Sequence, residues 1–137
     1  MTTYVQARDW IVAKASAAFA ANHPTLPVFW DNALEIDPDA TGSPFVRVTI
    51  EFDDARQLTI NGVPERRVDG EIVFSIFTKK GSGTRTTLAL VDFLETEFKY
   101  VTTGPVKTST PYLAPKDDRG GWVNQDVLVP FFFDSLT

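Results

Sequence analysis

The segment Gly81-Ser82-Gly83-Thr84-Arg85-Thr86 is where this sequence comes nearest to a known binding chemistry. Two glycines sit between an extended apolar run and a helical pattern. That arrangement puts unpaired backbone N–H groups and the positive end of a helix dipole at one place, which is how helix starts hold phosphates. The details do not match a nucleotide site. A Walker A loop needs Lys-Ser/Thr directly after its second glycine, and the dinucleotide fingerprint needs a third glycine where Thr86 stands. The simpler reading is a flexible turn with Ser82 or Thr84 as N-cap. Asp37, Asp39, Thr41 and Gly42 imitate the opening of a calcium loop, but the twelfth position, where a bidentate Glu belongs, is Val48. Asp37-Pro38-Asp39 therefore reads as a turn.

His23 is the only histidine and Cys is absent. Disulfides, thiolate metal sites, cysteine nucleophiles and His-paired metal sites are thereby excluded. A Ser-His-Asp triad would have to use His23, which stands in a helix-ending His-Pro step, and no Gly-x-Ser-x-Gly elbow surrounds any serine. His23 is expected at the surface. The acid pairs Asp53-Asp54, Glu95/Glu97 and Asp117-Asp118 read as solvated turns and helix faces, with nothing to place them in a cleft. Phe131-Phe132-Phe133 is not interleaved with Lys or Arg, which fits core and interface better than a base-stacking platform. Trp10, Trp30 and Trp122 are assigned to the core. No catalytic grouping is complete, so a non-enzymatic protein without a cofactor is expected.

The formal charge of the 137-residue chain is −5, which argues against specific duplex binding. Acids dominate the first forty residues, while Arg66, Arg67, Lys79, Lys80 and Arg85 gather near the middle, a pattern suited to contacts between subunits. No apolar run approaches the roughly 20 residues of a membrane span, and the N-terminus lacks the features of a secretory signal.

The elements follow from periodicity. Tyr4, Arg8, Ile11, Val12, Ala15 and Phe19 share a helical face, started by a capping box of Thr3 with Gln6 and stopped before Pro24. Val28 to Trp30 is a short strand. Phe45 to Phe52 alternates, with Val46, Val48, Ile50 and Phe52 inward and Arg47, Thr49 and Glu51 outward. Gln57 to Ile60 is a weaker strand, closed by Asn61-Gly62-Val63-Pro64. Arg66 to Thr78 is a long strand, with Ile72, Phe74 and Ile76 on one face and Val73 and Phe77 on the other. Its second apolar face implies a cover on both sides, a helix on one and a neighbouring subunit on the other. Thr84 to Phe98 is a helix with Leu88, Val91, Leu94 and Phe98 as its buried stripe, widened by Leu90 and Phe93. Thr102 to Gly121 reads as a long exposed loop with a strand at Val106 to Thr110. Trp122 to Phe133 closes as a strand. The whole predicts one α+β domain over 1–137, with a mainly antiparallel sheet of about five strands packed by two helices.

Three stretches carry a resemblance to the tail terminator family of long-tailed bacteriophages and related prophage domains. They are Pro27-Val28-Phe29-Trp30-Asp31-Asn32 after the first helix, Arg67 to Thr78 running into Gly81-Ser82-Gly83-Thr84, and Gly120-Gly121-Trp122 leading to Val129-Pro130-Phe131. They occur in the family's order and cover most of the chain. The resemblance implies a structural virion protein of the tail or neck, assembled in the host cytoplasm as a hexameric ring of identical copies. Its partners would be the tail tube protein and the head–tail connector or stopper, with DNA only as passing cargo. Another neck component, a head–tail joining or tail-completion protein, is the alternative. The turn-rich regions Asp53 to Arg67 and Lys107 to Arg119 are long and polar enough to reach neighbouring rings. From them Arg56, Arg66, Arg67, Lys107, Tyr112, Lys116, Asp117, Asp118 and Arg119 are taken as interface candidates.

Overall fold

The computed structural model describes residues 2–30, 44–58, 65–81 and 83–136. The Asp37–Gly42 turn, the Ile60 end of the weaker strand, the Asn61–Pro64 turn and Ser82 lie outside them. Helix α1 spans Tyr4–Asn22 and begins with the expected capping box. The Gln6 amide donates to Thr3 Oγ1 at 3.1 Å, and the Thr3 amide donates to Gln6 Oε1 at 3.0 Å. The buried face is Ala7, Ile11, Ala15, Ala18 and Phe19, rotated from the expected one. Three alanines let the helix lie close to the sheet and push Tyr4 and Arg8 to its margin. Tyr4 still packs edge-on to Phe52 and Phe133, whereas Arg8 is exposed and paired with Asp9.

Strands β1 (Val28–Trp30), β2 (Phe45–Gln57), β3 (Glu65–Lys79), β4 (Lys107–Thr108), β5 (Tyr112–Leu113), β6 (Asp117–Arg119) and β7 (Trp122–Leu136) form one sheet, with α2 (Arg85–Phe98) between β3 and β4. The order is β1-β2-β3-β7-β4, and β5 and β6 also pair with β7. Among the described residues only the β1–β2 pairing is parallel. The α+β reading with a mainly antiparallel sheet is therefore correct, but there are seven strands among the described residues, not about five. The extra ones come from the segment read as a loop. It lays three short pieces along the free edge of β7, giving that edge's amides and carbonyls partners. The strand expected over Val106 to Thr110 is only Lys107–Thr108.

The alternation in β2, β3 and β7 assigns one sheet face to the core. Val46, Val48, Val68, Ile72, Phe74, Ile76, Val127, Val129, Phe131 and Phe133 are buried there, under both helices. Phe74 anchors the stack, its ring 6.3 Å from Phe19 of α1 and 5.1 Å from Phe98 of α2. Gly70, the register partner of Phe131, allows that ring to lie over the strand, where a Cβ would stand 2.6 Å from Phe131 Cζ. The stripe of α2 is as expected at Val91, Leu94 and Phe98 and is corrected at Leu88 alone. Thr87, Leu90, Val91, Leu94 and Phe98 are buried, while Leu88 is 46% exposed. Thr87 can take the inward place because its hydroxyl donates to Thr78 Oγ1 inside the core. Thr84 occupies the N-cap position without a side-chain bond. Trp10 and Trp30 pack against the core as expected, but Trp122 lies on the opposite face, against Phe45.

Among the described residues, no helix is long and apolar enough to cross a membrane.

Candidate interaction surface

Both helices cover the same side of the sheet, so its other side has no helical cover among the described residues. Side chains directly opposite in an antiparallel register share a face, which allows this open face to be assembled pair by pair. At one end Phe45 stands opposite Phe77, and their rings stack at 4.7 Å and 12°. Phe29 and Trp122 close on Phe45 edge-first at 5.8 and 5.6 Å. Phe45 is thereby buried without any help from the helices.

The middle of the face is acidic. Glu51 lies directly opposite Glu71, and Asp69 follows two residues along β3. Tyr112 of β5 reaches across β7, and its hydroxyl donates to Glu71 Oε2 at 3.0 Å. The phenol is held above its ordinary pKa by burial first, then by this bond and the charges of Glu71 and Asp53. Asp53 therefore belongs to the same row. Like charges opposite one another on a sheet destabilise it, and Glu51–Glu71 is such a pair.

At the far end Arg67 grips Asp134 through Nε at 2.8 Å and a second nitrogen at 3.2 Å, with its guanidinium 4.2 Å above the Phe132 ring. That hydrogen bond lowers the Asp134 pKa against the opposing effect of burial, and the Arg67 and Lys107 charges add to it. Arg56 is opposite Arg67, and Lys107 is the register partner of Phe132.

The sequence candidates thus divide. Arg56, Arg67, Lys107, Tyr112 and Asp117 gather on the open face by register. Arg66 does not join them: it points to the helix side, over the Tyr4 ring at 5.5 Å, with its Nε out of solvent and unpartnered. Lys116 and Asp118 line a hollow of about 440 Å³ with Lys79 and Thr84 at the α2 end. Arg119 pairs with Trp122, and only its backbone is described. His23, expected at the surface, is half-buried with its ring edge-on to Phe93 at 4.6 Å. Sequence reasoning missed Glu51, Asp69 and Glu71 as a surface feature. Glu51 was legible as outward-facing, but its opposition to Glu71 depends on the β2–β3 register. Among the described residues, no three His, Asp or Glu side chains converge where a metal ion could sit.

No protein-family model matches this chain, and no curated protein matches it. Solved structures do match. One, 17% identical, covers 95% of this chain and 95% of its own length at a TM-score of 0.59. At that identity the likeness shows a shared fold over nearly the whole chain and nothing more.

Proposed function

We propose that this chain is a structural virion protein that caps the tail tube of a long-tailed phage as a ring of identical copies, ending tube growth and offering a joint to the head-side connector. The observation that carries the proposal is the open sheet face. An antiparallel sheet commonly packs one face on the core and leaves a mostly polar face to solvent. Here the uncovered face holds Phe77, Val73, Leu128, Pro130 and Phe132, all half-buried by their neighbours alone. A face of that composition fits burial against other subunits. The likeness to tail terminators at Trp30, Gly81–Thr84 and Trp122 supplies the kind of assembly, and those segments fall at β1, the β3–α2 turn and the start of β7. The role has no chemical step. The mechanism is geometric: one surface completes the last tube ring, and no further tube subunit can add to the opposite surface. The test is the position of labelled chain on assembled tails. Label at the head-proximal tube end supports the proposal. Label retained on heads that have no tube would instead favour a head–tail joining protein.

A further inference from the structure

We infer that the acidic row on the open face of one copy receives the cationic β3–α2 turn of the next copy, so that the ring closes by a head-to-tail contact between two different patches. The inference rests on the ring reading and specifies its contact. A closed ring of more than two copies needs a heterologous interface, in which separate patches of one subunit match each other. The open face supplies one patch. Glu51, Asp53 and Asp69 have no cation of their own bonded to them among the described residues, and Glu71 is met only by a neutral phenol. Arg67, the nearby cation, is already held by Asp134.

The same face also holds two acceptors without donors. Asn124 Oδ1 and Asp126 Oδ1 are both out of solvent without a partner, and both lie on this side of β7. Both oxygens are already covered by this chain's own atoms, so the exposed carboxylates, not these acceptors, define the patch. The second patch lies at the end of the sheet. Lys80 and Arg85 are exposed there and make no ion pair among the described residues, and the start of α2 adds the positive end of its dipole. Arg47, Arg56, Lys79 and Lys107 are further cations, but by register they share the open face with the acids. Pairing through them would be face to face and would close at two copies.

Absence of cysteine makes the contact directly readable. Thr49→Cys places a thiol beside Glu51, and Thr84→Cys places one beside Arg85, with all the charges kept. The six steps along β3 from Val73, the partner of Thr49, to Lys79 separate the two sites by about 20 Å within one chain. That is beyond disulfide reach, so any bond between them joins two copies. The doubly substituted full-length chain, oxidised at high concentration, is expected to give a ladder of covalent oligomers. Lys80→Glu should abolish the ladder, and adding Glu51→Lys should restore it. Dimers from Thr49→Cys alone would show faces meeting each other and overturn the inference, as would the lack of a ladder up to the solubility limit. A ladder from a chain that does not cap tubes would leave this contact standing and remove the tail role. Capped tubes in which the two introduced thiols never bond to each other would do the reverse.

Discussion

Gly70 and Gly104 each make room for one aromatic ring. A Cβ on Gly70 would meet Phe131 and, closer still, the Glu51 carbonyl oxygen across the strand pair, while one on Gly104 would meet the Trp10 indole. Neither neighbour is the free end of a flexible chain. Gly70→Ala is expected to cost about 1–3 kcal/mol through overpacking, seen as a lower urea midpoint. The Arg67–Asp134 pair makes a second prediction. Because the folded pKa of Asp134 is lowered, the pair stabilises the protein above the ordinary Asp range near about 4 and is lost as pH falls through the folded value. Asp134→Asn should therefore flatten the acid limb of a stability–pH profile. At neutral pH it should cost no more than about 1 kcal/mol, since both side chains are partly in water. Thermal melts of both proteins across the acid range provide the check. None of these contacts was legible in the sequence. Gly70 meets Phe131, and Arg67 meets Asp134, only through the β3–β7 register.

At the scale of elements, periodicity located both helices and all the long strands, because one buried face leaves a regular trace in residue type. In α2 it placed Val91, Leu94 and Phe98 correctly and misassigned Leu88, whose place Thr87 takes. Leu88 and Leu90 are equally apolar, and the deciding fact is that Thr87 finds a buried partner in Thr78 from another strand. The observed face predicts that Leu94→Ala costs about 2–5 kcal/mol as a core truncation, whereas Leu88→Ala stays within about 0.5 kcal/mol. Chemical denaturation of the two variants distinguishes the faces. The segment after α2 misled for a different reason. Its prolines, glycines and charges are loop composition, yet an unpaired edge on β7 recruits it into β4, β5 and β6. Thr108 helps to hold it there, its hydroxyl donating to the Phe98 carbonyl at the end of α2. Strands of two or three residues have no period to read.

For the whole molecule, the fold class was legible and the open face only in part. Alternation in β3 showed apolar residues on two sides, and the structure adds that both helices chose the same one. The aromatic stack around Phe45, the acidic row around Glu71 and the Arg67–Phe132 end then make a single surface out of residues that lie far apart in sequence. The solved structure of shared fold matches this molecule over nearly the whole chain. The central claim is that this surface is buried in a ring at the end of a tail tube. The most direct measurement is electron microscopy of tails assembled with tagged chain, counting tags by position along the tube. The account predicts tags at the head-proximal end of nearly every tube and none along its length. Tags spread along the tube, at the far tip, or absent from tails altogether would contradict it.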